Sequence, residues 1–162
     1  MNVSFDYKFG MFLIPKIFII HSSKYFFTLV PPNPIMKGHI LVCSKREVTS
    51  FSDLSNEEIF DFSLTLQHMS KMVENYYRVK SSTISIQDGE LAGETIPHFH
   101  AHIIPRKEGD IEQNDQIYSK LENFDDIFVK EMTGLQTNLK NQLELKEAVE
   151  SFKEFILKFY IY

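Results

Sequence analysis

Histidine alternates with apolar residues in a seven-residue segment that sets the strand pattern of the chain: His98-Phe99-His100-Ala101-His102-Ile103-Ile104. Alternate side chains of a β-strand share one face, so the spacing predicts a strand over Ile96–Ile104 with the three imidazoles on one side. The apolar residues between them then point into a core. Imidazoles gathered on one face pack poorly, so this segment is also the first candidate for chemistry.

Four more strands are expected around this one. Ile17–His21 and Tyr25–Val30 are rich in β-branched and aromatic residues and are separated by a short polar turn, which predicts a hairpin. His39–Ser44 and Thr83–Gln87 also have strand character, and a turn pair follows the second. We therefore expect a five-stranded antiparallel sheet.

Helices are expected between and after the strands. Ser55 with Glu58 forms a capping box, and an apolar residue recurs every three or four positions to about residue 77. A short helix is predicted around Asp115–Phe124, and residues 125–138 are expected to be a connection. An amphipathic C-terminal helix is marked by Leu139, Leu143, Val149, Phe152, Ile156 and Phe159. The order of elements predicts an α+β fold with helices on one face of the sheet.

Composition limits the class of protein. Apolar residues make up 43% of the chain and charged residues 24%, which is typical of a globular domain. A net charge of -5 argues against binding nucleic acid by bulk electrostatics. The single cysteine, Cys43, excludes an internal disulfide and a cysteine-based zinc cluster. The longest apolar stretch, Phe9–Ile20, is interrupted by Pro15 and Lys16, so no membrane span or membrane partner is expected, and the predicted location is the cytoplasm.

Two chemistries compete for the histidine segment. In a metal site, alternate strand residues lie about 6.6 Å apart, so His98 and His102 would be roughly 13 Å apart and only two neighbours could converge on one ion. In covalent catalysis, a neutral imidazole attacks phosphorus while adjacent imidazoles donate hydrogen bonds to the phosphate and the leaving group. The second chemistry suits all three histidines, so no metal ligand is assigned.

The histidine segment resembles the His-φ-His-φ-His-φ-φ signature of the histidine triad superfamily. Further segments resemble its fragile histidine triad branch: residues 34–42, 87–89, 92–93, 105–110 and 114–118. The resemblance runs from about Phe5 to Phe124. We therefore expect a histidine triad domain over residues 1–124 and an extension over residues 125–162, whose helix packs on the domain or on a dimer.

The resemblance implies an activity and an assembly. Members of the branch hydrolyse dinucleoside polyphosphates such as diadenosine triphosphate and release AMP through a nucleotidyl-histidine intermediate. They are homodimers in which two five-stranded sheets join. His100 would be the nucleophile, His102 would bind phosphate oxygens and assist the leaving group, His98 would orient the cluster, and His39 would be its fourth member. No cofactor is obligatory, and a divalent cation would enter with the polyphosphate.

The resemblance also implies five substrate contacts: Gln87, Asn33, Glu94, Thr95 and Tyr118. Two positions depart from the family pattern. Pro31 stands where a ribose-binding Asn is usual, and Asn33 is the nearest substitute. Glu94 stands where a phosphate-binding Gln is usual, and a carboxylate there should repel polyphosphate unless it is protonated or turned away.

Two other functions remain open from the sequence. One is a nucleoside phosphoramidase of the same superfamily, which would use the same histidines on a P–N bond. The other is a nucleotide-binding signalling module with little turnover, which the departures at Pro31 and Glu94 favour. Residues 1–106 carry no net charge and the whole excess of -5 lies in residues 107–162, so no overall repulsion of polyphosphate is expected.

Overall fold

The computed structural model describes residues 5–135 and 139–159. Within those residues the strands and helices follow in this order: β1 (Phe5–Phe9), β2 (Phe12–Pro15), β3 (Ile19–Ser22), β4 (Phe26–Leu29), β5 (Ile40–Ser44), α1 (Asn56–Tyr77), β6 (Ser81–Ser85), β7 (His100–Arg106), α2 (Gln116–Glu122), α3 (Phe124–Leu135) and α4 (Leu139–Phe159). None of the helices among these residues is long and apolar enough to cross a membrane.

The main sheet has five antiparallel strands in the order β3-β4-β5-β7-β6. The predicted sheet is therefore confirmed, and its central strands are β5 and β7. Cys43 of β5 lies opposite His100 of β7, and Leu41 lies opposite His102. This register places the histidine segment in the middle of the molecule.

Strand β7 begins and ends later than the alternation predicts. The amide of His98 donates to the oxygen of Ile96 at 2.7 Å, and this tight turn delays the start to His100. At the other end, Pro105 lies inside the strand opposite Ser82 of β6. Proline is tolerated there because β5 pairs with β7 only as far as Ile103, so a ladder bond on that side is not lost.

Helix α1 covers one face of the sheet and confirms the predicted capping box. The Ser55 hydroxyl accepts from the Glu58 amide at 3.2 Å, and the Glu58 carboxylate accepts from the Ser55 amide at 2.8 Å. Phe62 on the buried side of α1 contacts the rings of Phe26 and Phe99. Phe99 therefore points towards α1, away from the face that carries the imidazoles.

The opposite face is covered by two elements that the sequence analysis did not assign. The hairpin β1–β2 places Phe9 against the rings of His98 and His100. Helix α3 places Phe128 against the same Phe9 ring. The expectation that residues 125–138 form a connection is wrong over residues 125–135, and the expectation that the helices lie on one face is wrong as well.

Helix α4 matches the predicted C-terminal helix and packs on β3, α1 and α3. Val149 and Phe152 are buried, and Phe152 lies against the rings of Tyr76 and Tyr77 on α1. Leu143 is 55% exposed, so the described part of the apolar stripe is buried at Val149 and Phe152 but not at Leu143. The side chains of Leu139 and Phe159 lie outside the described part of the chain.

Candidate active site

Four histidines meet on the sheet face beneath β1 and α3. His100 and His102 lie on β7, His39 directly precedes β5, and His98 lies in the turn before β7. The turn at Gly38 has a φ of +94°, and a Cβ there would collide with Tyr77 and Pro105, so glycine is required for His39 to follow this bend. All four histidines are at most 2% exposed.

Hydrogen bonds fix the proton on His100. Its Nδ1 lies 2.7 Å from the carbonyl oxygen of His98. A carbonyl oxygen only accepts, so Nδ1 must carry the hydrogen and Nε2 presents its lone pair. The side chain of His98 donates from Nε2 to the oxygen of Ser44 at 2.7 Å. The expected orienting contact on His100 thus comes from the main chain of His98, and the His98 ring anchors the turn to β5.

Two successive hydrogen bonds fix the position of the proton on His102. The amide of Ile35 donates to His39 Nδ1 at 3.1 Å, so the hydrogen of the neutral His39 ring is on Nε2. That Nε2 donates to His102 Nδ1 at 3.0 Å. His102 therefore carries its hydrogen on Nε2, which has no hydrogen-bond partner among the described residues. The result is a free lone pair on His100 beside a free N–H on His102.

Burial keeps these rings neutral. Burial lowers the pKa of His39 to about 3, with a smaller contribution from His100. Burial also lowers the pKa of His102 well below its ordinary value, and it lowers the pKa of His100 although Asp125 acts in the opposite direction. A neutral His100 is the form in which imidazole acts as a nucleophile.

An acidic residue of α3 faces Nε2 of His100. Asp125 Oδ1 lies 3.9 Å from His100 Nε2, and neither atom has a hydrogen-bond partner among the described residues. Asp125 Oδ2 accepts from the amides of Thr95 and Ile96 at 2.9 and 3.0 Å. Two main-chain amides thus donate to one carboxylate oxygen, and a pair of amides held in this way suits an anion.

The predicted contacts at positions 87, 94 and 95 belong to the loop between β6 and β7. Gln87 donates to the oxygen of Ala92 at 3.1 Å, within its own loop. Glu94 Oε2 accepts from the amide of Gly89 at 3.0 Å, so its carboxylate is turned onto the loop. Burial raises the pKa of Glu94, and Asp88 and Asp125 act in the same direction. Thr95 reaches the site through its main-chain amide.

The other two predicted contacts lie at different distances from the histidines. Asn33 donates to the oxygen of Phe124 at 3.4 Å, and its own buried Oδ1 has no partner among the described residues. The ring of Phe124 in turn touches His39 and His102. Pro31, the position of the first departure, is buried. Tyr118 is 57% exposed on α2 and is not packed into the cluster.

Sequence reasoning missed Phe9, Phe124 and Asp125 as site residues. A signal for α3 was present, since Ile117, Leu121, Phe124, Phe128 and Met132 recur at steps of three and four. No pattern could have identified Asp125, because its partners lie about thirty positions earlier in the chain. No group of three or more His, Cys, Asp or Glu side chains within the described ranges could hold a metal ion.

Comparison with known proteins gives consistent matches. The sequence profile described as "HIT domain" matches residues 14–109. The bis(5'-adenosyl)-triphosphatase of Dictyostelium discoideum is 45% identical over 114 residues, which are 70% of this chain and 76% of that protein. The bifunctional bis(5'-adenosyl)-triphosphatase/adenylylsulfatase FHIT of Arabidopsis thaliana is 40% identical over 72% of this chain and 65% of its own length.

Two solved structures are also similar to this chain in fold and sequence. The nitrilase–Fhit fusion protein of C. elegans has a TM-score of 0.65 and 36% identity over 75% of this chain and 30% of its own. The Plasmodium falciparum diadenosine triphosphate hydrolase, solved with cyclomarin A, has a TM-score of 0.74 and 28% identity. That match covers 99% of this chain and 90% of the other, so it reaches into the C-terminal helices.

Proposed function

The chain belongs to the HIT domain family, and from this premise we infer that it hydrolyses dinucleoside triphosphates such as diadenosine triphosphate. The enzyme breaks a phosphoanhydride bond. The observation that carries the proposal is the pair of ring nitrogens, a lone pair on His100 Nε2 and an N–H on His102 Nε2, on rings whose centroids lie 5.1 Å apart. A phosphate between them meets a nucleophile and a proton donor together.

The proposed reaction has two displacements. His100 Nε2 attacks the α-phosphorus, and a P–N bond forms while the anhydride P–O bond to the ADP leaving group breaks. The N–H of His102 stabilises the charge on the leaving or non-bridging oxygen. Water then cleaves the P–N bond, AMP leaves, and the proton of the water is released. In the intermediate the His100 ring is cationic, and the His98 oxygen that accepts from Nδ1 stabilises that charge.

We propose that the loop between β6 and β7 and the side chain of Asn33 contact the rest of the substrate. Thr95 would hold a phosphate oxygen through its main-chain amide, and Gln87 would do so through a carboxamide in the same loop. Asn33 offers a free Oδ1 beside Phe124. Glu94 and Tyr118 complete the proposed set, Glu94 by holding the loop at Gly89.

His100→Asn is the direct test of the nucleophile. We expect kcat for diadenosine triphosphate to fall at least about a thousandfold while AMP still binds, because the loss of a nucleophile removes the covalent route. Acid-quenched wild-type enzyme should show a mass increase of one AMP on the peptide that contains His100. His68→Asn, an exposed histidine on α1, is the matched control and should retain wild-type turnover. Full activity in the His100 variant would exclude this mechanism.

The phosphoramidase alternative uses the same nitrogens, so only substrate preference separates the two functions. Diadenosine triphosphate and adenosine phosphoramidate should be assayed side by side on one preparation. We expect the anhydride to be preferred. Faster turnover of the phosphoramidate would replace the proposed function with the alternative.

We further propose that the protein is a homodimer joined through β6. This strand is an edge of the sheet, and it carries Ile84 48% exposed, with Ile86 37% exposed directly after it. An edge strand presents unpaired main-chain amides and carbonyls, to which a second chain can pair.

We also propose a cytoplasmic location. The support is the free, buried thiol of Cys43, which suits a reducing compartment. Imaging of a fluorescent fusion tests this proposal, and accumulation in a secretory compartment would contradict it.

A further inference from the structure

Helix α3 closes the histidine cluster. The Phe124 ring lies 4.9 Å from the ring of His39 and 5.0 Å from that of His102, between centroids. Phe128 lies 5.4 Å from Phe9, which itself covers His100. With His100 only 2% exposed, a dinucleotide cannot reach the nucleophile while α3 stays in this position.

The carboxylate of Asp125 takes the place that a phosphate group would need. One oxygen is held by the amides of Thr95 and Ile96, which are donors fixed by the backbone. The other oxygen faces His100 Nε2 at 3.9 Å. A phosphate undergoing attack would likewise rest its non-bridging oxygens on fixed donors and present phosphorus to that nitrogen.

We propose that α3 is an autoinhibitory lid in which Asp125 occupies the phosphate subsite and Phe124 covers the histidines beside it. The inference rests on the proposed function, because it assigns the subsite to a substrate phosphate. Asp125 and a bound nucleotide use the same two amides, so they exclude one another. The substrate must therefore displace α3.

Two of the polar contacts that hold the lid are weak. Asp125 Oδ1 and His100 Nε2 are two acceptors that face each other in a buried place, with no hydrogen donor between them among the described residues. An unsatisfied buried acceptor raises the free energy of the state that contains it. The bond from Asn33 to Phe124 is long, at 3.4 Å. A phosphate that is bound to the same amides and can accept from His102 gains a bond that the closed lid lacks.

The apparent affinity for a nucleotide equals the affinity of the open state multiplied by the fraction of molecules in which the lid is open. If about one molecule in ten is open, the apparent Kd for a nucleotide is raised about tenfold over that of the open state. Loss of the Asp125 contact should remove most of that factor.

Asp125→Ala tests the lid, and Asp126→Ala is the matched control because Asp126 is the next acidic residue of α3 and is exposed. We expect AMP to bind the Asp125 variant about tenfold more tightly than it binds wild type, and kcat/KM for diadenosine triphosphate to rise in proportion. Diethyl pyrocarbonate should modify His100 faster in that variant, which reports the lid without any nucleotide. The Asp126 variant should match wild type in all three measurements.

A second measurement uses the wild-type protein in case the variant fails to fold. Addition of AMP should speed hydrogen exchange of the amides in Phe124–Leu135, because the nucleotide displaces the helix. Slower exchange there on AMP binding, or an Asp125 variant with weaker AMP binding and an unchanged rate of His100 modification, would overturn the lid.

The outcomes separate the lid from the activity. An Asp125 variant that binds AMP tightly and exposes His100 but cleaves no anhydride supports the lid and refutes the hydrolase. If neither wild type nor the Asp125 variant binds AMP, the rate of His100 modification tests the lid. A faster rate in the variant supports the lid, and an unchanged rate overturns it. Full wild-type hydrolysis with no gain in the variant refutes the lid and keeps the hydrolase.

Discussion

Three of the four histidines in the cluster are each held by a main-chain group that can act in only one way. Carbonyl oxygens accept from His98 and His100, and the Ile35 amide donates to His39. Main-chain groups do not change protonation near neutral pH, so they set the tautomers permanently. The lone pair on His100 and the N–H on His102 are therefore in place before a substrate arrives, without a charged side chain that would have to be buried.

Because His39 is buried in its neutral form, we expect the free energy of unfolding to fall in acid. The pKa of His39 is lowered from 6.5 to about 3, so between these values the unfolded chain binds a proton that the folded chain does not. Its contribution to the free energy of unfolding is fully present above pH 6.5 and falls by about 1.4 kcal/mol per pH unit below it. His39→Gln should remove this dependence.

The measurement is urea unfolding of wild type and His39→Gln across this pH range. The stability difference between them should shrink by about 2 kcal/mol from pH 7 to about pH 5. His68→Gln, at an exposed position of α1, is the control and should follow wild type. A difference that stays constant with pH would mean that His39 is not held neutral in the fold.

At the scale of elements, the start of helix α1 is set by the capping box between Ser55 and Glu58. Ser55→Ala removes the hydroxyl that accepts from the Glu58 amide and should lower the free energy of unfolding by about 1 kcal/mol. Ser63→Ala, an exposed position in the middle of the same helix, is the control and should cost less than about 0.5 kcal/mol. Thermal or urea unfolding measures both. Equal effects at the two positions would show that the cap does not stabilise α1.

The sequence predicts elements whose signals are local and misses those fixed by distant partners. The cap and the apolar stripe of α1 lie within one segment, and they predict its bounds to within a residue. The late start of β7 follows the turn at His98, and the next amide, that of Phe99, donates to the oxygen of Val48, a distant partner that no alternation reveals. The four histidines could be predicted from their motif. The carboxylate that faces them could not, because its amide partners belong to another part of the chain.

At the scale of the molecule, the net charge lies in the C-terminal segment that contains α3 and not in the segment that contains the histidines. Residues 1–106 have no net charge, and residues 107–162 carry the whole of -5. Asp125 brings one carboxylate from the acidic segment onto the neutral sheet face. The acidic segment thus supplies the group that competes with phosphate, and a polyphosphate that approaches the open site meets amides and neutral imidazoles.

The proposed dimer makes a prediction about the free edge of the sheet. In a two-fold symmetric interface a residue close to the axis lies near its own copy, so a charge introduced there meets a like charge. Ile84→Lys on β6 should therefore raise the dimer Kd by at least about a hundredfold, since it adds repulsion to the loss of an apolar contact. Met11→Lys, 79% exposed in the turn between β1 and β2, is the control and should leave the dimer intact. Light scattering after size-exclusion chromatography measures the mass, and a wild-type protein with the mass of one chain at all concentrations would exclude the dimer.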